Sequence, residues 1–172
     1  MRQQQSVELL VNGRAEIHVT RGGIGGAGAR NLGTRACSAK YVAYLDDDDV
    51  WHPQKLQLQV AAGEANNAAL VTCKARLVGP RSSQEVPLGP FPVRADDILS
   101  YMLLRPALRY GWGVVQTSCL LVRRDVALAV AWTDGLAKHQ DWDFVARVCK
   151  ATDSAPTLVA RALVDIHQGS TD

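Results

Sequence analysis

Apolar positions in this chain fall into short runs separated by polar or glycine-rich segments. Ala15-Glu16-Ile17-His18-Val19-Thr20 alternates apolar and polar residues and predicts a strand, with His18 on a sheet face. Tyr41-Val42-Ala43-Tyr44-Leu45 is apolar, aromatic and β-branched, and predicts a second strand. Three more strands are predicted over Ala69–Val78, Val114–Val122 and Thr157–Ile166. Helical patterns lie between them: roughly 27–39, from Pro53 to about Asn66, from Asp96-Asp97 to about Leu104, and a short one ending near Ala131. The last begins at His139 and sets Phe144, Val145 and Val148 on one apolar face. Residues 1–14 read as the end of a helix and a turn at Asn12-Gly13. Residues 79–94 hold four prolines and two glycines and predict a long loop. Strands alternating with helices predict an α/β fold.

The run Asp46-Asp47-Asp48-Asp49 interrupts this pattern at the end of a strand. Two unit charges about 5 Å apart at an effective dielectric of about 20 repel by roughly 3 kcal/mol. Four carboxylates there call for a positive counterpart, and a divalent cation supplies one because hard cations take carboxylate oxygens. The plainer reading is a solvated loop with one carboxylate capping the next helix. Position favours a ligand site, since open α/β sheets bind ligands at the carboxyl ends of their strands. Upstream, Gly23-x-Gly25-x-x-Gly28 matches a dinucleotide fingerprint, with acids about 20 residues later. Four acids in a row would repel the pyrophosphate of such a cofactor. Arg30 and Asn31, in the first turns of the following helix, read as groups presented to a ligand.

Bulk composition narrows the class. The 172 residues suit one domain with a real core, and 47% hydrophobic with 21% charged residues excludes general disorder. A net charge of +2 gives no argument for nucleic acid or a membrane surface. Cys37, Cys73, Cys119 and Cys149 are widely spread with no CxxC pair, so buried thiols are expected rather than zinc or disulfides. There is no leader-like segment and no run of 18 apolar residues. The expectation is a cytoplasmic protein, or the cytoplasmic part of something larger, reaching a membrane through a partner.

Taken together, Gly28-Ala29-Arg30-Asn31-x-Gly33, Tyr41 to Asp49 with Trp51, Pro53, Lys55 and Leu56, Gln140-Asp141-Trp142-Asp143-Phe144-x-x-Arg147, and His167-x-Gly169-Ser170 resemble family 2 glycosyltransferases of the GT-A fold. The resemblance covers roughly residues 15–170, and its specificity lies in the combination and order. It implies a Rossmann-like mixed sheet flanked by helices, forming a single partial GT-A domain over residues 1–172. That family's first two strands, which bind the nucleoside, have no counterpart here. The expectation is an N-terminally truncated domain, with the missing strands supplied by a partner chain or a dimer.

The same resemblance implies roles. The family's DxD motif falls on Asp46-Asp47-Asp48 and would bind Mn²⁺ or Mg²⁺ against the diphosphate of a nucleotide-sugar donor. Asp46 and Asp48 are the implied metal ligands, with His167 completing the set; Asp46, Asp47, Arg30 and Asn31 are the implied donor contacts. Asp141 falls on the general base, preceded by Gln140 where the family has an acid; Asp143 is the rival base. The implied reaction is inverting transfer of a sugar to an acceptor hydroxyl, on a sugar or lipid-linked acceptor. Two other classes stay open: an inactive remnant acting as a binding module, and a Rossmann-type dinucleotide-binding protein.

Overall fold

The computed structural model describes residues 18, 20, 22–79, 83–104 and 111–167. In chain order the elements are α1 (Gly25–Ala36), β1 (Tyr41–Ala43), β2 (Asp49–Trp51), α2 (Lys55–Ala65), β3 (Leu70–Val78), β4 (Ser83–Val86) and α3 (Asp97–Leu103). A 3₁₀ turn (Thr117–Cys119), β5 (Leu121–Arg123), α4 (Arg124–Val130), α5 (Gln140–Thr152) and β6 (Thr157–His167) follow. The strands form one mixed sheet in the order β1-β5-β3-β6-β2, with β4 added beside β3. β3 and β6 run parallel at its centre; the other pairs are antiparallel.

Alternation along the strands sorts the core into two faces. Val42, Leu70 and Val122 pack with Phe144, Val145 and Val148 of α5 and with Ile98 and Met102 of α3. On the other face, Val71 and Leu121 meet Ala62 of α2. Among the described residues, α2 covers that second face, and it approaches closely because Gly63 lies in the contact. A Cβ there would sit 3.2 Å from the Tyr41 hydroxyl and 3.3 Å from Val71.

The observed elements depart from the sequence pattern at three places, the first being β2, since Asp49–Trp51 pairs with β6 where the pattern gave only an acidic loop. The proline-rich stretch 79–94 is not all loop: Ser83–Val86 pairs with Ala75–Val78 as β4. β5 occupies the same edge of β3 only at Leu70 and Val71, which leaves the later residues of β3 to be paired by β4. The expected strand Val114–Val122 is also broken. Its middle turns as a 3₁₀ segment because the Gln116 side chain accepts the Ser118 N–H at 2.7 Å, a local alternative to a ladder hydrogen bond. Most of the expected strand Ala15–Thr20 and the turn at Asn12-Gly13 lie outside the described residues. The four cysteines are free thiols; Cys73, Cys119 and Cys149 are buried and Cys37 half-buried. No helix among the described residues is long and apolar enough to cross a membrane.

Candidate active site

Asp46 to Asp49 form a tight turn closed by the Asp49 N–H donating to the Asp46 carbonyl at 3.2 Å. The turn sorts the four carboxylates into two kinds. Asp47 and Asp48 stand exposed at its tip, whereas Asp49 is 8% exposed at its foot. Asp49 accepts from the Ser118 hydroxyl at 2.6 Å and from the Gln116 amide at 2.8 Å, through one carboxylate oxygen. The Ser118 hydroxyl in turn accepts the Asp46 N–H at 3.0 Å. The Ser118 carbonyl accepts the Trp51 indole N–H, also at 3.0 Å. Thr117–Cys119 is thus a bracket that fixes both ends of the acid turn.

A second element closes on the turn from α1. Arg30 donates to Asp46 at 2.7 Å and to the side-chain oxygen of Gln140 at 2.8 Å, and its guanidinium lies 4.8 Å from the centre of the Trp132 ring. Gln140 is the first residue of α5. One guanidinium therefore joins the acid turn to the head of the helix that carries Asp141. Asp141 accepts the Trp142 N–H at 2.9 Å. Burial pushes its carboxyl above the ordinary range, the nearby Asp46 charge pushes it the same way, and backbone donors and His139 partly offset both. Asp143 behaves oppositely. Arg147 binds it at 2.7 Å and Thr133 donates to it at 2.7 Å, which holds its carboxyl below the usual range. Of the two acids in the first turn of α5, Asp143 serves an ion pair, whereas Asp141 is bound by a backbone N–H and held above the ordinary range by burial.

The other sequence expectations separate here. Asn31, expected to meet a ligand, is 9% exposed and uses both ends of its amide on the Trp132 backbone, donating at 2.9 Å and accepting at 2.7 Å. These two bonds fasten α1 to the backbone at Trp132. His167 ends β6 and is exposed. Because β2 pairs Asp49 with Ile166, the next positions outward on the two strands are Asp48 and His167. Gln116 and Ser118 were missed. Their one signal is a polar triplet, Gln116-Thr117-Ser118, inside an otherwise apolar run.

No three His, Cys, Asp or Glu side chains among the described residues converge as a ready-made cation cage. Asp46 is engaged by Arg30 and Gln116, and Asp47 and Asp48, exposed at the tip, form no such bond with a described residue. This donor set fits a cation of the magnesium kind, which binds through one or two carboxylates and takes its remaining oxygens from phosphates and water.

Comparisons with known proteins identify the family and the fold. The profile described as glycosyl transferase family 2 matches residues 7–130. The amylovoran biosynthesis glycosyltransferase AmsB of Erwinia amylovora is 28% identical over 151 residues, covering 84% of this chain and 47% of that protein. The Escherichia coli enzyme WfgD, a UDP-Glc:α-D-GlcNAc-diphosphoundecaprenol β-1,3-glucosyltransferase, is 38% identical over 65 residues, covering 38% of this chain and 22% of that protein. Staphylococcus aureus TarS superposes with a TM-score of 0.70 at 15% identity over 97% of this chain and 48% of the TarS chain. TarS has also been solved in complex with UDP-GlcNAc, and that structure matches with a TM-score of 0.67 at 12% identity over 99% of this chain and 47% of that one. This chain spans about half the length of AmsB and of the TarS chain. With a family profile over most of its length and the mixed, helix-flanked sheet of the GT-A fold, the chain belongs to glycosyl transferase family 2.

Proposed function

We propose that this chain carries the catalytic centre of an inverting glycosyltransferase that moves a sugar from a nucleoside-diphosphate donor to an acceptor hydroxyl. The observation that carries the reading is the Arg30 bridge, which holds Asp46 of the acid turn and the head of α5 together. Asp141 is then a base beside the place where a diphosphate would lie. The acceptor oxygen forms its bond to the anomeric carbon as the bond to the diphosphate breaks, and the hydroxyl proton passes to the Asp141 carboxylate. Arg30 supplies a fixed positive charge beside the phosphates. Asp46 and Asp48 would offer the carboxylates for Mn²⁺ or Mg²⁺, and such a cation would stabilise charge on the departing diphosphate; His167 does not converge with them as a third ligand among the described residues. The UDP-GlcNAc complex of TarS and the name of WfgD support a nucleotide-sugar donor, and WfgD supports a lipid-linked acceptor. Family membership displaces the dinucleotide reading of the glycine loop.

The test is calorimetric titration of the purified chain with uridine, guanosine and adenosine diphosphates, with and without Mn²⁺. Saturable binding that needs Mn²⁺ and is lost in Asp48→Ala is expected. Equal affinity with the metal omitted, or in Asp48→Ala, would overturn the assignment of the acid turn. A folded chain that binds no diphosphate at all would favour the inactive binding module.

A further inference from the structure

Two of the four thiols meet behind the bracket that holds the acid turn. Cys73, in β3, and Cys119, the last residue of the 3₁₀ turn, share one hydrophobic cluster; Cys149 packs in another, with Cys37 at its margin. Cys73 Sγ lies 3.8 Å from the Cys119 carbonyl oxygen, and the two thiols are themselves hydrogen-bond partners. Gln59 donates to the same carbonyl at 2.7 Å, and Lys55 donates to Gln59 at 2.7 Å. Lys55 is fully buried and forms no ion pair with a described residue. A buried cation without a carboxylate thus stands behind a pair of thiols.

The two thiols are unequal. The hydrogen bond between them favours a thiolate on Cys73, and the Lys55 charge acts the same way. The same bond, with burial, disfavours one on Cys119. One sulfur is therefore the better nucleophile and the other keeps its proton. Both are 3% exposed, so an oxidant must enter. The sheet is interrupted at that point: the pairing of β3 with β6 shifts register between Cys73 and Lys74, and again between Lys74 and Ala75. A broken ladder opens locally more readily than a continuous one, and a peroxide is little larger than water.

We propose that Cys73 and Cys119 are an oxidation site, closing to a disulfide in the presence of a peroxide and loosening the acid turn as they do so. The Cys73 thiolate attacks one peroxide oxygen; the O–O bond breaks, and the leaving hydroxide takes up a proton as water. The Cys119 sulfur then attacks the sulfenic sulfur; the S–S bond forms, the S–O bond breaks, and the Cys119 proton leaves with the hydroxyl as a second water. Two thiols give up two electrons and one peroxide is reduced to two waters. A disulfide holds its sulfurs about 2.05 Å apart, closer than thiols in contact. Cys119 must therefore shift toward β3, and Ser118, its chain neighbour, shifts with it. The Ser118 hydroxyl spans Asp49 at 2.6 Å and the Asp46 N–H at 3.0 Å, and hydrogen bonds tolerate only a few tenths of an ångström. The effect on a ligand rests on the reading of the acid turn as a diphosphate site; the disulfide does not.

The experiment treats the folded full chain with hydrogen peroxide, alkylates it under denaturing conditions and maps its peptides by mass spectrometry. Uridine diphosphate with Mn²⁺ is titrated before and after. Cys37→Ser is the background, which removes the half-buried thiol and its links between chains. A Cys73–Cys119 peptide that dithiothreitol reverses is expected, with diphosphate affinity lower by at least about fivefold in the oxidised form. Cys73→Ser, its fold verified by urea unfolding, should keep the reduced affinity and make it indifferent to peroxide. No linked peptide at a peroxide level that oxidises Cys37 in the wild type, or a peptide joining other cysteines, overturns the pair. A linked peptide with unchanged diphosphate affinity overturns its hold on the acid turn. If the reduced chain binds no diphosphate, the diphosphate reading fails separately, and the pair is judged without ligand: a linked peptide with a shifted urea midpoint upholds it, and an unshifted midpoint overturns its hold on the turn.

Discussion

Ser118→Ala is the sharpest probe of how the acid turn is held. The hydroxyl is fully buried, donates to Asp49 at 2.6 Å and accepts the Asp46 N–H at 3.0 Å. Removing it takes a hydrogen bond from a buried carboxylate, worth about 1.5–3 kcal/mol, and leaves a partly buried N–H without its partner, about 1 kcal/mol more. Asp49 cannot recover the loss elsewhere: its other oxygen is already buried with no partner among the described residues. The sum is about 2–4 kcal/mol, or roughly 5–15 °C in Tm for a domain of this size. Urea unfolding of wild type, Ser118→Ala, Asp49→Asn and the double variant gives the coupling directly, and a coupling of about 1–3 kcal/mol is expected. Nucleoside-diphosphate affinity should fall in Ser118→Ala at temperatures where the variant is fully folded, because Asp46 loses its anchor. Additivity within about 0.5 kcal/mol, with unchanged diphosphate affinity, would refute the bracket.

Three further substitutions address separate parts of the site. Arg30→Met removes two charge-assisted or amide hydrogen bonds and the Trp132 stacking, and is expected to cost about 2–4 kcal/mol in urea unfolding; Arg30→Lys recovers little, because one ammonium cannot reproduce the planar fork. A loss under about 0.5 kcal/mol would show that the bridge is incidental. Asp141→Asn keeps diphosphate binding and abolishes transfer. In wild type the rate should fall on the acid side at a pH above the ordinary carboxylate value, because burial raises this group. A raised folded pKa also means that stability is lost as pH rises from the unfolded value of 3.8 through the folded one, so Asp141→Asn should be at least as stable as wild type at pH 7. Lys55 is fully buried, donating to Gln59 at 2.7 Å with its nitrogen 4.3 Å from the centre of the Trp51 ring, and burial lowers its pKa. Its native state binds its proton less readily than the unfolded chain, so stability should rise with pH between the lowered value and 10.5. Urea unfolding at pH 7 and pH 10 should show a smaller rise in Lys55→Met; an identical rise would exclude Lys55 as its source.

What the sequence revealed follows the range over which its signals act. α5 was legible because Phe144, Val145 and Val148 repeat at helical spacing; position alone makes Asp141 a first-turn acid, and only the family resemblance marks it as a candidate base. The acid turn was legible as a charge anomaly. Its internal sorting was not, because Asp49 is distinguished from Asp48 only by Gln116 and Ser118, some 70 residues away. The structural partner of Asn31 was hidden for the same reason: Trp132 is 101 positions distant. In α2 the buried positions are Lys55, Gln59 and Gly63, while Leu56 and Val60 are exposed. That inverted stripe depends on Trp51 and on the Cys119 carbonyl, which accepts from Gln59 at 2.7 Å, and no local pattern encodes it. β4 was hidden because proline-rich flanks read as loop; the free edge of β3 selects the strand.

The place of β6 in the sheet has a consequence for biosynthesis. β2, the three-residue strand that begins at Asp49, has β6 as its sheet partner, and β6 also fills the centre of the sheet against β3. Thr157 leaves the ribosome 106 residues after Trp51. At about 5–20 residues per second, the nascent acid turn waits roughly 5–20 s with neither the strand that pairs its foot nor a closed sheet behind it. Through that interval four adjacent carboxylates and the apolar edge of β3 are open to chaperones, cations and other chains. The acid turn therefore gains its sheet only once β6 has been made, and a nascent chain arrested before Thr157 should be captured by chaperones rather than by nucleotide.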